Sequence, residues 1–492
     1  AGIAAASPGA VVAVAAGSYP EDLLLQDKPV LLWGRCPELV EVQGAGPLAA
    51  IFIGSGGSGT VIREIAVSGA TYGVGLAGAI DVRLERAWVH DTGGRGVAVE
   101  AGASLSISES LIEECSDVGV MAYGASLRVE QSVVRSTRLG SGNGRGVVAR
   151  FGSDLVVSGS VVELNHDHGV LVSGSTATIE ASVVRDTIEQ AYVIGGGIGV
   201  QRDSASLAAS VVTIRDVLVE RSANYGIFVE GSELLVERSV VRDSQPVDST
   251  VDFGAGIQVQ GHTELGEMAT VEIYQSVIER NRYAGIAAAG STITVESTIV
   301  RDTMPRWAGD YGRGVLVFFD ADTALSPHAT LLGSLVAGNV EAGIFAQGGE
   351  LIVERTVIRD TASTPAGLAG RGINVQSDDG TKIGAQLLVR DSLIEANHDL
   401  GLFAEGTSAV LERTTIAATE PRPFDGLFGD GAHVDTLWPE LPAEASIEEC
   451  VIEGNSRAGL AALGARITLA ESSLSCNPID LNGQDGATTF TI

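Results

Sequence analysis

Apolar and polar residues alternate in short runs along the whole chain and do not recur every three or four positions. One period reads GIFVE (226–230), LLVER (234–238), SVVRD (239–243). Apolar, mostly β-branched residues hold every second place, and Gly, Ser, Asn or Thr bounds each run, which predicts three short strands. A helix would need a 3.6-residue period and fewer Val, Ile, Thr and Gly. The glycine that opens the first strand returns at Gly226, Gly256, Gly285, Gly314, Gly343, Gly372, Gly401 and Gly431, in steps of 29 or 30 residues. Nearer the N-terminus it stands at Gly73, Gly96 and Gly119, in steps of 23, so a minimal coil needs about 23 residues and later coils carry insertions. Three strands repeated at a fixed period predict an all-β solenoid of about fifteen to seventeen coils stacked in parallel, a single-stranded parallel β-helix.

Charge keeps a longer period. ATIEASVVRDT (177–187), LLVERSVVRDS (234–244), ITVESTIVRDT (293–303) and LIVERTVIRDT (351–361) are near copies two coils apart. At the fourth position of the SVVxx strand stand Glu163, Arg185, Glu220, Arg242, Glu279, Arg301, Ala337, Arg359 and Glu395. With coils ~4.8 Å apart, this alternation offers each group an opposite charge above and below. Exposed pairs are worth only ~0.2–1 kcal/mol each, so register is the expected gain, since a one-coil slip would set like beside like. The next position repeats the pattern out of phase with Asp186, Arg221, Asp243, Arg280 and Asp302. Beyond it, Asn165, Asn281, Asn339, Asn397 and Asn455 mark one class of coil, and Thr137, Thr187, Thr303, Thr361 and Thr419 the other. Such an Asn is expected to bond its own turn backbone and to take a left-handed conformation. The true repeat is therefore a pair of coils.

The N-x-x-x-G turns Asn165–Gly169, Asn281–Gly285, Asn339–Gly343, Asn397–Gly401 and Asn455–Gly459 resemble the right-handed parallel β-helix repeat of pectate-lyase-like and NosD-like proteins. The opening ASPGAVVAVAAGSYPEDLLLQDKPVLLWG (6–34) is similar to the N-terminal coil of that superfamily. The resemblance implies a right-handed helix over nearly the whole chain: residues 1–50 an N-terminal coil or cap, 51–465 regular coils, 466–492 a C-terminal coil or cap. It also implies an exported bacterial protein, extracellular, at the cell surface or in the periplasm. It does not choose a function, because the superfamily holds lyases, hydrolases, epimerases, adhesins and surface proteins alike.

Composition narrows the classes. Lys+Arg 31 against Asp+Glu 62 leaves a formal charge of -31 over 492 residues, which repels phosphate backbones and argues against nucleic acid. Apolar runs fall far short of the ~20 residues of a membrane helix. The chain opens inside a folded motif without a charged leader, and reads as a mature or trimmed soluble chain. Cys36, Cys115, Cys450 and Cys476 show no zinc-type spacing, and leave buried thiols and a bridge equally open.

Insertions flank the GIxVx strand on both sides: at 185–197, 242–256, 301–314 and 359–372 before it, and at 260–270, 319–330 and 376–386 after it. The strand's sheet is thus expected to floor a loop-walled groove. By alternation its outward residues are Phe228 and Glu230, Gln258 and Gln260, Leu316 and Phe318, Phe345 and Gln347, Asn374 and Gln376, Phe403 and Glu405, His433 and Asp435. Either the phenylalanines and amides contact the rings and hydroxyl edges of a glycan, or the loops fold over them as a second core, or they meet protein.

Catalytic residues are not assigned. Acidic-sugar chemistry needs a base and a cation, which makes Asp378 and Asp379 with Lys382 and Arg371, and Asp310 with Tyr311 and Arg313, the nearest constellations. Calcium is the one cofactor that the resemblance suggests. His166 and His168 around Asp167 are expected to be solvated turn residues, GSGGSG (54–59) coil corners, and Trp307 a loop anchor or a sugar stack. The expected function is a non-catalytic extracellular or surface β-helix that contacts glycans or associates with itself through coil ends, to which 480–492 could add a strand. A polysaccharide lyase is the alternative.

Overall fold

The computed structural model describes residues 2–140, 144–188, 195–246, 254–484 and 487–492. The chain divides into two units, residues 1–223 with 232–234, and residues 224–231 with 235–492. Each unit repeats one coil of three short strands, and the strands of successive coils pair in parallel in three sheets, the pattern of a right-handed parallel β-helix. In the first unit a coil runs Val118–Tyr123, Ser126–Glu130, Val133–Arg135 and pairs with Arg145–Arg150, Asp154–Ser158, Val161–Glu163. In the second, Ala284–Ala289, Thr292–Glu296, Ile299–Arg301 pairs with Arg313–Phe318, His328–Leu332, Leu335–Ala337. We call the sheets of the LxVxx, SVVxx and GIxVx strands the first, second and third.

Alternation places one set of side chains inside. In the second unit Val300, Val336, Ile358, Ile394, Ile416 and Ile452 stack rung upon rung in the second sheet, all fully buried. Burying each such side chain is worth ~1.5–3 kcal/mol, which is what holds coils of this length closed.

Each corner has its own ladder. Between the first and second sheets the backbone N–H of Ser239 donates to Ser276 Oγ (3.1 Å), Ser276 N–H to Thr298 Oγ1 (3.2 Å), Thr298 N–H to Ser334 Oγ (3.2 Å) and Thr356 N–H to Ser392 Oγ (3.2 Å). The residue before each hydroxyl is left-handed, as at Gln275 (φ 50°) and Ser297 (φ 51°). This ladder explains the Ser or Thr that opens nearly every SVVxx strand.

At the corner into the third sheet the asparagines act differently from the sequence expectation. Asn397 Oδ1 accepts from Thr361 N–H (3.1 Å), and its Nδ2 donates to Ile358 O (3.3 Å), both on the preceding coil. Asn339 does the same with Thr303 and Val300, and Asn281 with Ser244 and Val241. The left-handed residue is the one before the Asn, such as Ala396 (φ 52°), Gly338 (φ 63°) or Leu164 (φ 55°). A fully buried Asn with its amide spent on the neighbouring coil ties coil to coil, where bonding its own turn would not. The glycine next in line is demanded by space: a Cβ on Gly314 would meet Gly343 O at 2.6 Å and Asn339 Nδ2 at 2.7 Å.

The charge ladder is a set of pairs, not a continuous column. Arg185 reaches back to Glu163 (2.7 Å), Arg135 to Glu113 (2.7 Å) and Arg301 to Glu279 (2.6 Å). Glu220 binds Arg221 (2.5 Å), and Arg242, in register with Glu279, lies 3.6 Å from Asp243. Arg359 finds Ala337 on the preceding coil and turns to Asp360 (3.5 Å), while Glu395, in register ahead of it, carries no ion pair among the described residues. In the pairs Arg135–Glu113, Arg185–Glu163 and Arg301–Glu279 the long guanidinium arm reaches backward. The out-of-phase row does likewise, with Arg221 to Asp186 (2.7 and 2.9 Å) and Arg280 to Asp243 (3.0 and 3.1 Å).

Candidate ligand groove on the third sheet

In the second unit the third sheet aligns its outward residues in two rows. One runs Phe228, Gln258, Ala287, Leu316, Phe345, Asn374, Phe403, His433, and the other Glu230, Gln260, Ala289, Phe318, Gln347, Gln376, Glu405, Asp435. The first row is not open to solvent. Phe228, Gln258, Phe345, Asn374, Phe403 and His433 are all buried, whereas Glu230, Gln260, Phe318, Gln347, Gln376 and Glu405 remain half-buried. Of the alternatives left open by the sequence, a second core is what the first row forms: Tyr225, Tyr283, Phe228, Leu316 and Phe345 join in an outer apolar cluster with Tyr311 and Phe318 at its edge. Parts of the insertions at 185–197 and 242–256 lie outside the described residues.

Arginines close the first row. Arg313 lies over the Phe345 ring (3.7 Å to its centroid) and donates to Glu341 Oε1 (2.8 Å); Arg371 lies over Phe403 (4.3 Å) and donates to Asp399 Oδ2 (2.9 Å). The next coils swap the charges, with Arg457 donating to buried Asp430 (2.7 Å), whose other oxygen lies 3.3 Å from His433 Nδ1. Burial pushes the Asp430 carboxyl up, but the His433 and Arg457 hydrogen bonds outweigh it and hold the carboxyl below the usual range. In the first unit Arg145 pairs with buried Asp167 in the same manner (2.5 Å). Glu341, Asp399 and Asp430 escaped the sequence reading, and Asp167 entered it only as the neighbour of two histidines. Their signal was the G-R-G tripeptide (312–314, 370–372) followed one coil later by Glu341 or Asp399 two places before a glycine.

Between Tyr283, Tyr311, Arg313, Leu316, Phe318, Phe345 and Gln347 a cavity of about 240 Å³ stays open, the share of liquid volume of about eight waters. It is walled by aromatic rings with one amide at its mouth. Burial pushes the Tyr283 phenol up to about 12, so it stays neutral there.

The constellations named as catalytic are mostly engaged. Asp310 is gripped by Arg306 (2.8 Å), whose hydrogen bond holds its carboxyl below the usual range, and Arg313 and Arg371 are in the pairs above. Asp378 caps its own turn by accepting from Thr381 N–H (2.7 Å) and Oγ1 (2.6 Å). Lys382 sits over Trp438 (3.2 Å), and Trp438 Nε1 donates to Asp379 Oδ1 (3.3 Å). Glu405 is pushed above the usual carboxylate range by burial, then by Asp435 and Asp379. His166 Nδ1 lies 2.8 Å from Thr137 O, and His168 is buried against Asp167 (2.9 Å), which corrects the expectation of two solvated histidines: the His168 ring lies on the outer face beside Leu171, in the space that Gly199 leaves open on the next coil. Trp307 is 57% exposed with Arg282 over its ring (4.2 Å). Among the described residues no group of three or more His, Cys, Asp or Glu is arranged to hold a metal ion. All four cysteines are free thiols; burial pushes that of Cys115 up to about 11. Among the described residues no helix is long and apolar enough to cross a membrane.

Comparison with known proteins places this geometry. The family described as the right handed beta helix region matches residues 49–236 and 196–416. No curated protein is similar to the chain in sequence. Among solved structures, the mannuronan C-5 epimerase AlgE6 A-module of Azotobacter vinelandii is 14% identical at a TM-score of 0.46, with 71% of this chain and 90% of that one covered. The Dettilon tailspike protein is 15% identical at 0.41, covering 65% of this chain, which spans 61% of the tailspike chain. An alginate lyase from Paenibacillus is 16% identical at 0.38, with 56% and 90% covered.

Proposed function

The chain belongs to the right-handed β-helix family, and from that premise we propose that it is a non-catalytic glycan-contacting protein of the cell surface or extracellular space. The observation that carries this reading is the aromatic-walled cavity over the third sheet. Tyr283, Tyr311 and Phe318 offer apolar ring faces and edges, and Gln347 offers an amide at the mouth, the combination that suits a sugar ring with its apolar face and hydroxyl rim. Arg313 is neutralised by Glu341, so the cavity has no spare cation, and a chain of charge -31 repels polyanions. An uncharged glycan is the ligand this chemistry favours. The engaged state of Asp310, Asp378, Arg313 and Arg371 supports binding over chemistry.

A glycan-array screen with and without calcium tests it, followed by titration of the wild type and Phe318→Ala. Loss of about tenfold or more in affinity on removing this half-buried ring is expected, the scale of one base or ring stacked on an aromatic side chain. Equal binding by the variant, or no glycan bound at all, would refute the proposal. The second reading, a polysaccharide lyase, draws on one observation, the half-buried Glu405 carboxyl held above its ordinary range beside in-register Asp435. New absorbance near 235 nm on any bound polyuronate would establish it over the first.

A further inference from the structure

The cover of the first row repeats. Arg313, Glu341 and Phe345 recur 58 residues on as Arg371, Asp399 and Phe403, and the contacts recur with them: guanidinium over ring at 3.7 and 4.3 Å, guanidinium to carboxylate at 2.8 and 2.9 Å. The two frames stand two coils apart, ~9.6 Å along the sheet. What surrounds them does not repeat. Around the first frame stand Tyr311, Leu316, Phe318 and Gln347; at the same places around the second stand Ala369, Asn374, Gln376 and Glu405. The first frame is thus bordered by two rings, a leucine and one amide, the second by an alanine, two amides and a carboxyl.

Asn374 sharpens the contrast. It is 8% exposed, lies in register between Phe345 and Phe403, and its side chain makes no hydrogen bond to any described residue, with Oδ1 sealed off. A buried amide without a partner is destabilising, and the equivalent Leu316 would avoid that cost on the same backbone. A polar residue kept at such a place points to a polar ligand group that completes it.

We propose, resting on the glycan reading above, that the groove selects a linear neutral glycan whose alternate sugars differ. The sugar at the Phe345 frame carries an apolar-tipped substituent such as an acetamido group, and the sugar at the Phe403 frame presents hydroxyls only. In a straight ribbon of equatorially linked pyranoses each ring advances about 5 Å and flips, so rings two apart face alike at a spacing close to two coils of ~4.8 Å. The acetyl methyl enters the cavity between Tyr311, Leu316 and Phe318, while hydroxyls of the sugar two places on meet Gln376 and the Nδ2 edge of the Asn374 amide, the edge that is not sealed. With both arginines neutralised, discrimination comes from apolar fit at one frame and hydrogen bonding at the other.

Calorimetric titration with three β-1,4-linked hexasaccharides tests the proposal: an oligomer alternating N-acetylglucosamine and glucose in pairs, so that rings two apart differ, chitohexaose and cellohexaose. The alternating oligomer is expected to bind tighter than either homopolymer by about tenfold, the scale of one apolar group in a fitted pocket. Equal binding of all three overturns the proposal and leaves the glycan reading standing; binding of none overturns both. The double variant Asn374→Leu, Gln376→Phe copies Leu316 and Phe318 into the second frame. It is expected to move the preference to chitohexaose by about tenfold, with its fold checked by circular dichroism. An unchanged preference in a folded variant overturns the proposal.

Discussion

Asn397 and Thr361 face each other across one coil step, and the structure assigns them opposite energetic weights. In Asn397→Ala the backbone N–H of Thr361 loses its acceptor at 3.1 Å and the carbonyl of Ile358 loses a donor at 3.3 Å, at a site with no exposure. The orphaned N–H costs about 1–3 kcal/mol and the lost carbonyl contact a further ~0.5–1.5, so about 1.5–4.5 kcal/mol in all. The Thr361 hydroxyl, by contrast, is buried with no hydrogen-bond partner. Thr361→Val replaces it by a methyl of the same shape and is expected to be neutral or to stabilise by about 1 kcal/mol. Stacked coils open locally, so urea unfolding is to be read beside amide hydrogen exchange of the second unit. Exchange at Thr361 is expected to accelerate about a hundredfold in Asn397→Ala and to stay level or slow in Thr361→Val. Equal losses in the two variants, or a loss below about 0.5 kcal/mol in Asn397→Ala, would show that the amide ladder is not what ties one coil to the next.

Three further outcomes follow from the contacts. Gly314→Ala drives a Cβ against Gly343 O and Asn339 Nδ2 and is expected to cost about 3 kcal/mol, whereas Gly380→Ala, which meets only the Asp378 carboxylate at 3.4 Å, is expected to be nearly neutral; thermal melts of the pair check it. Arg301→Ala removes a real partner of Glu279 and is expected to lower stability by about 1 kcal/mol, more in low salt than in high, while Arg359→Ala, whose one ion pair among the described residues is with the adjacent Asp360, stays within about 0.5. Asp430→Asn is expected to cost about 1.5–3 kcal/mol at neutral pH. Because the Asp430 carboxyl is held below its ordinary value in the folded chain, its contribution is present above the unfolded aspartate value and fades as pH falls through the folded one. The gap between wild type and variant is therefore expected to close in acid, as urea midpoints across pH 3–7 would show.

The sequence by itself determined the coil. Period-two alternation, the glycine step of 29 or 30 residues and the alternating Asn and Thr turns specify three strands per coil and a two-coil repeat, because these are local constraints that each coil must satisfy anew. It also marked which residues point outward on the third sheet, since alternation alone sets that. Direction and cover were decided only by tertiary structure. Alternating Glu and Arg in the second sheet reads the same whether an arginine leans back or forward, and only the packed side chains show that Arg301 reaches Glu279 while Arg359 passes Glu395 by. Outward-facing Phe345 and Phe403 are buried because Arg313 and Arg371, held by acids 28 residues ahead, fold over them. That lock joins residues one coil apart, a distance at which periodicity says which groups are neighbours but not which of several charged neighbours takes the hydrogen bond. Exposure follows from that choice, and with it the aromatic cavity wall on which the functional proposal rests.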